Sequence, residues 1–194
     1  TKGDFASPIV INCANTWAPA LAEQVGDILP IFPERHQALI TEPVAPMGAN
    51  NTPMPMVMSW ERSFFCQQTP HGSFIRGLIE AVPVSDKSDT WQWLEENCAV
   101  ITRTLPALRG LKVLRHWAGH FDVSPDHTPI INFSKNADGL INVCGFSGHG
   151  FMIAPRTAIM LARSICGEKD SIDINKFRLE RYETGDLLLE PSAL

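Results

Sequence analysis

Residues 145 to 150 read Gly-Phe-Ser-Gly-His-Gly, directly after the apolar run Leu140, Ile141 and Val143 and directly before a second apolar stretch that contains Pro155. Glycine takes positive φ freely and carries no side chain, so a ligand can approach the main chain at such a turn. A helix that starts at the last glycine leaves its first N–H groups without partners inside the helix and carries partial positive charge there. The combination favours a flat or anionic group. The order G-x-x-G-x-G is not the dinucleotide fingerprint G-x-G-x-x-G, and no acidic residue follows at the distance that would meet a ribose. A tight strand-to-helix turn with no ligand accounts for the same glycines, and spacing alone leaves both readings open.

Three other arrangements bear chemistry. His116 and His120 stand four apart in H-W-A-G-H, which on a helix would put two imidazoles on one face in the manner of a metal site. Gly119 and the preceding K-V-L-R-H-W favour a strand, and no third ligand is evident, so no metal is expected. Cys144 and His149 could form a thiol and base pair, but Cys144 closes an apolar run, where a buried inert thiol is the expectation. Ser147 has Gly145 and Gly148 offset around it, which fits the G-x-S-x-G nucleophile elbow poorly. Trp117, Phe121 and Phe151 are expected in the core rather than in a ligand cage. Met56, Phe65, Arg76 and Trp117 are open candidates for pocket walls.

The elements that must hold these residues follow from period and punctuation. Ile9 to Cys13 reads as a buried strand followed by a helix, with Asn15 or Thr16 as N-cap, Pro19 in the first turn, Trp17, Leu21 and Val25 on one face and Gly26 as stop. From residue 31 onward, short runs (HQALITEP, MPMVMSW, SFFCQQTP, SFIRGLIEAV) broken by prolines suit an antiparallel sheet, with TPHG as a hairpin turn and APMGANNTPMP as a surface loop. Trp91, Leu94, Cys98, Ile101 and Leu105 recur at helical spacing, with Ser88 or Asp89 as cap and Pro106 as terminator. A strand and proline-rich turn (KVLRHWAGHFDVSPDHTPIIN), another strand (GLINVC) and a helix ending at Gly167 complete the pattern. The fold class expected is mixed α and β.

The chain has 194 residues, 44% of them hydrophobic, and a formal net charge of -5 with no basic stripe, so a nucleic-acid partner is not expected. No run approaches the roughly eighteen apolar residues that cross a bilayer, so no transmembrane segment is expected. The five cysteines are odd in number and contain no C-x-x-C pair, which suits free thiols in a reducing compartment, the cytoplasm. The chain opens on Thr1 and is strand-like within seven residues, as the back part of a longer protein would be.

Three stretches together resemble a known family. VINCANTWAPALAEQVG is similar to the V-V-N-A-A-G-A-W-A-P-E-L-A segment, RHWAGHFDVSPDHTPIIN to the W-A-G-x-x-D-x-[ST]-P-D-x-x-P-I-I-G segment, and GFSGHGFMIAP to the G-F-[SG]-G-H-G-F segment of the flavin-dependent amine and amino-acid oxidoreductases of the D-amino-acid oxidase superfamily. Within that superfamily the chain resembles the branch of sarcosine oxidase beta, opine oxidase, proline dehydrogenase beta and hydrogen cyanide synthase subunits. The resemblance covers about Ser7 to Gly167. It implies the C-terminal part of an FAD-binding domain (1–30 and 111–194) interrupted by a mainly antiparallel substrate-binding domain (31–110).

Carried over by residue, the resemblance implies that Gly148, His149, Gly150, Phe151 and Met152 run beside the flavin ring. Cys13 and Ala14 would lie beside the cofactor at their strand's end, and Gly119 and His120 would approach from another. It further implies hydride transfer from a secondary amine or amino acid (sarcosine-, proline-, glycine- or opine-like) to flavin N5, with no catalytic base assignable from this stretch. The ADP part of FAD would be held by an N-terminal half that this stretch lacks, so the expected partners are that half or other subunits of a hetero-oligomer. Membrane-surface association follows if electrons pass to a quinone. Four positions depart from relatives: Asn15 replaces a glycine; Gly119 replaces a cysteine that carries flavin covalently elsewhere, so non-covalent FAD is expected; Met152 replaces a carboxylate-binding lysine; and Phe121 stands at about the place of a carboxylate-binding arginine of glycine oxidases, which disfavours that substrate. The competing expectation is a non-catalytic subunit or domain that keeps the fold and binds no flavin.

Overall fold

A computed structural model of the chain describes residues 3–188. The chain divides into two compact units, Thr1–Pro33 with Phe121–Leu194, and Glu34–His120. The second boundary, 120/121, falls inside the continuous strand Val113–Val123.

In the first unit, β1 (Val10–Asn12), β7 (Ile130–Phe133) and β8 (Leu140–Cys144) form a sheet of order β1-β8-β7. β1 runs parallel to β8 in the register Val10↔Leu140, Ile11↔Ile141 and Asn12↔Asn142, and β7 runs antiparallel to β8. A strand covered on both faces must be apolar on both, as β8 nearly is. On one side Ile130 and Cys144 pack with Ala18 and Ala22 of helix α1 (Ala18–Ala22), and on the other Ile131, Ile141 and Val143 pack with Met160 and Leu161 of helix α3 (Gly150–Ile165). Gly167 follows α3 at φ 73, where the sequence places the stop.

The segment after β1 departs from the expected helix. It is a 3-10 turn at Asn15–Trp17, the five-residue α1, and a second 3-10 turn ending at Gly26 with φ 86. Neither Asn15 nor Thr16 caps it through a side chain. Asn15 instead takes φ 55 and its Oδ1 accepts from the Thr16 N–H at 2.7 Å. The buried face is Ala18 and Ala22, while Trp17 and Leu21 are 55% and 48% exposed, so the larger apolar side chains point away from this unit's core.

In the second unit, β2 (Phe32–Thr41), β3 (Val57–Ser59), β4 (Phe64–Gln68), β5 (Phe74–Pro83) and β6 (Val113–Val123) form a sheet of order β3-β4-β5-β2-β6. The β2–β5, β3–β4 and β4–β5 pairs are antiparallel, as the short punctuated runs imply. The β4–β5 turn closes through the Gly72 N–H onto the Thr69 carbonyl at 2.9 Å, with Gly72 at φ 96. Helix α2 (Trp91–Thr104) is capped by Thr90, whose Oγ1 accepts from the Trp93 N–H, and not by Ser88 or Asp89. Its inward residues are Trp93, Asn97 and Ile101; Trp91 is 73% exposed. Ile101 packs with Phe64, Cys66, Phe74 and Leu108. The proline-rich loop after β2 is pinned by buried Gln68, whose Oε1 accepts from the Met47 and Met54 N–H groups and whose Nε2 donates to the Ala45 carbonyl.

Candidate functional site

Because β1 and β8 are parallel neighbours in register, their C-terminal ends lie side by side, and the segments that leave them, Cys13–Ala14 and Gly145–Gly150, share one edge of the sheet. Ligands of open parallel sheets bind at such an edge. The turn from β8 to α3 needs left-handed backbone three times in four residues: Gly145 at φ 73, Ser147 at φ 50 and Gly148 at φ 89. A Cβ on Gly148 would also meet the Phe121 ring at 2.6 Å, so no larger residue fits. α3 then starts at Gly150, with His149 as N-cap and no side-chain cap. The His149 carbonyl accepts from the Met152 and Ile153 N–H groups, so those of Gly150 and Phe151 come ahead of the helix ladder and are left for solvent or a ligand. Phe151 is 99% and Met152 70% exposed, which corrects the expectation that Phe151 is core.

The opposing wall of the turn is the end of β6 and the residues after it. Asp122, 3% exposed, accepts the Gly145 N–H on Oδ2 at 2.7 Å, and its carbonyl accepts the Ser147 N–H at 3.1 Å. Burial pushes the Asp122 carboxyl up, and the main-chain N–H groups of Gly145 and Phe146 partly offset this. Ser147 is 8% exposed; its Oγ accepts from the Ser124 N–H at 3.2 Å and lies 3.2 Å from the Gly145 carbonyl, to which it donates. A serine engaged in this way is a structural member of the turn, which removes the hydrolase reading.

Beneath the edge lies a buried polar chain. Asn12 Nδ2 donates to Asn142 Oδ1 at 2.8 Å and Asn142 Nδ2 to Asp27 Oδ2 at 2.9 Å, while Asp27 Oδ1 accepts from Ser134 Oγ and Asn136 Nδ2. Asn12 Nδ2 also reaches the Ala18 carbonyl and its Oδ1 accepts the Ala14 N–H, so the network fixes both the start of α1 and the Cys13–Ala14 exit. Sequence reasoning missed Asn12, Asp27, Asn142 and Asp122. The available signal was an asparagine at the same place in two apolar strands, V-I-N-C and L-I-N-V-C.

The cysteines divide by burial. Cys144 is fully buried and burial pushes its thiol up to about 12, so it is an inert core thiol. Cys13 is exposed at the edge, and partial burial raises its thiol as well. Behind the turn, Arg181 forms a bidentate pair with Asp126, Nε to Oδ2 at 2.7 Å and Nη2 to Oδ1 at 2.9 Å. Burial raises the Asp126 carboxyl, but the bonds from Arg181 and Tyr182 outweigh it and leave the group lowered to about 2.

The other two expected cofactor contacts, Gly119 and His120, are carried on β6 within the second unit. Gly119 is exposed, and a Cβ there would meet nothing within 4 Å. His120 Nε2 lies 3.3 Å from the Asp86 carbonyl. His116 stacks on Trp93 with centroids 4.9 Å apart and sits 3.4 Å from Asp89, and burial lowers its imidazole. Among the described residues no group of three or more His, Cys, Asp or Glu is arranged to hold a metal ion. Trp117 and Phe121 are each 37% exposed and so are not core in this chain. Arg76, a candidate pocket wall, is 2% exposed, and burial lowers its guanidinium.

A bare turn, open helix N–H groups and exposed apolar Phe151 and Met152 suit a flat group with an electron-rich edge. Comparison with known proteins agrees. The family model for FAD dependent oxidoreductases, DAO, matches residues 1–164. The chain is 30% identical over 194 residues to sarcosine oxidase subunit beta of an Arthrobacter species, covering 100% of this chain and 46% of the relative. It is 26% identical over 192 residues to hydrogen cyanide synthase subunit HcnC of Pseudomonas protegens, covering 97% and 44%. The chain thus spans less than half the length of these relatives. Among solved structures, L-proline dehydrogenase from P. horikoshii superposes with a TM-score of 0.81 at 34% identity, over 92% of this chain and 48% of that one. Glycine oxidase from Geobacillus kaustophilus shares the fold, with a TM-score of 0.83 at 19% identity, over 93% and 47%. With its glycine turn set at the parallel-strand edge, the chain belongs to the DAO family of FAD-dependent oxidoreductases.

Proposed function

We propose that this chain is the C-terminal half of a flavin-dependent oxidoreductase that oxidises a secondary amine or amino acid. The observation that carries this reading is the Gly145–Gly150 turn: Gly148 is exposed and left-handed, and the leading N–H groups of α3 come ahead of the helix ladder. These features fit a ring with a carbonyl edge. When bound, FAD would supply a hydride acceptor for the carbon next to the amine nitrogen, and the resulting imine hydrolyses in water.

In this reading Gly148, His149, Gly150, Phe151 and Met152 border the ring, with the α3 amides and helix dipole stabilising negative charge on its edge. Cys13 and Ala14 flank it from β1. Gly119 and His120 complete the set, and a glycine at 119 keeps the FAD non-covalent at that point. The cofactor domain is then 1–30 with 111–194 and the substrate domain 31–110, so that residues 111–120 of the second compact unit count with the cofactor domain. No residue is nominated as a general base.

The ADP part of FAD is assigned to a further segment or subunit. Three features support such a partner. β1 has one paired neighbour, β8, among the described residues. Val10 and Ile11 on it are 54% and 44% exposed. A cleft of about 640 Å³ lies along β1, Leu21 and Val25, and another of about 440 Å³, lined almost wholly by apolar side chains, along Ile11, Phe146 and Ala158. Parallel strands rarely remain so uncovered. The free cysteines, and a described chain with no helix long and apolar enough to cross a membrane, are in keeping with a cytoplasmic enzyme that reaches a membrane surface only if quinone is the acceptor.

Anaerobic mixing of the intact protein, with whatever chains copurify, against N-methyl amino acids, proline, glycine and opines tests the proposal. Bleaching of the flavin band by at least one of them is expected. Bleaching by none, with flavin present and reducible by dithionite, would overturn the substrate class and favour a non-catalytic subunit.

A further inference from the structure

We propose that Asp122 is a positioning residue of the flavin site: with its neighbours at the end of β6 it clamps the Gly145–Gly150 turn in the one shape that presents bare amides to the cofactor. The inference rests on the flavin reading of that turn and adds to it a residue that makes no cofactor contact of its own.

The contacts are reciprocal along residues 121 to 124. The Phe121 ring lies where a Cβ on Gly148 would be. The Asp122 carboxylate takes the Gly145 N–H at 2.7 Å and its carbonyl takes the Ser147 N–H at 3.1 Å. The Ser124 N–H donates to Ser147 Oγ at 3.2 Å. Each residue of the turn that holds a left-handed φ, Gly145, Ser147 and Gly148, therefore has a dedicated partner on this segment. Ser147 is the costly one, since a non-glycine residue at φ 50 is strained and stays there only when its surroundings over-determine it.

A buried carboxylate is an expensive way to hold a loop. Asp122 is 3% exposed and its partners are main-chain amides rather than a cation, so the folded state bears desolvation that an apolar or amide side chain would avoid. What the carboxylate adds is an acceptor-only group whose charge-assisted bonds are shorter and stronger than neutral ones. Strand packing does not need that here, because β6 ends beside Asp122 and the turn begins opposite it. A ligand that needs the turn amides fixed before it arrives does need it, since every amide that must reorient on binding subtracts from affinity.

Two readouts on the intact protein separate this role from mere support of the fold. In Asp122→Asn, hydrogen exchange at the Gly145 and Ser147 amides of the flavin-free protein should quicken by about tenfold or more, with β7 and the middle of α3 unchanged, and the dissociation constant for FAD should rise by about tenfold or more, the worth of a lost charge-assisted bond. Ser147→Ala, which keeps the main-chain N–H to Asp122 and removes the acceptor for Ser124, should shift both in the same direction by less. It stands in if Asp122→Asn loosens β7 and α3 as well. Faster exchange with unaltered FAD affinity would overturn the proposal, as would unaltered exchange. If the unsubstituted protein takes up no FAD at all, the flavin reading fails instead, and the exchange result still decides whether Asp122 holds the turn.

Discussion

Gly148 combines two requirements that only glycine meets: a φ of 89 and space for a ring carbon of Phe121 at 2.6 Å from any added Cβ. Gly148→Ala should therefore displace the turn or Phe121, at a cost of roughly 1–3 kcal/mol in chemical denaturation, and strip the protein of flavin. Gly119→Ala is the informative contrast. Gly119 has no positive φ and nothing within 4 Å of an added Cβ, so this change should leave folding stability within about 0.5 kcal/mol, and any loss of FAD affinity it causes reports on ligand contact rather than fold. The glycines were legible as a turn from their spacing. Which of them is irreplaceable was not, because that depends on a ring twenty-seven residues earlier in the chain.

The β1–β8 pair and its two exits are held by a polar chain that apolar patterning does not reveal. Asn142→Leu would remove the Asn12–Asn142 bond and the Asn142 bond to Asp27 Oδ2, and should destabilise the protein by about 2 kcal/mol or more, read from the urea midpoint at constant m-value. Helix α4 (Glu180–Thr184) carries Arg181 onto Asp126. The Asp126 carboxyl is depressed to about 2, so its stabilising contribution is present above the ordinary carboxylate range, about pH 4, and is lost as pH falls through about 2. Arg181→Met should cost about 3–5 kcal/mol at neutral pH and flatten the acid limb of the stability profile in that window; an unchanged limb would remove Asp126 from the account. Strand and helix positions were readable because period and proline punctuation are local. The cap at Thr90 and the broken helix after β1 were not: Thr90 is held by Gln37, whose Oε1 accepts its N–H from fifty-three residues away, and after β1 Asn15 turns left-handed while Asn12 takes the Ala18 carbonyl.

At the scale of the whole molecule, large apolar side chains face outward where an amphipathic reading put them inside: Trp17, Leu21, Val10, Ile11 and Phe151. Patterning identified them as apolar and so as interior, and it could not say that this surface faces outward. Thiol reactivity gives a map of that surface. Cys66 and Cys144, buried and raised to about 11 and about 12, should resist alkylation in the native state, whereas Cys166 should react readily and Cys13 only when the cofactor edge is uncovered. Cys13 alkylating at the same rate with and without FAD would separate the β1 exit from the site. The most direct test of the central claim, that the turn at 145–150 borders a flavin ring, is the visible absorbance spectrum of the intact native protein isolated with its copurifying chains and titrated with FAD. The account predicts one tightly held, non-covalent FAD per copy of this chain, released by acid and lost in Gly148→Ala; a protein that is colourless as isolated and takes up no FAD would contradict it.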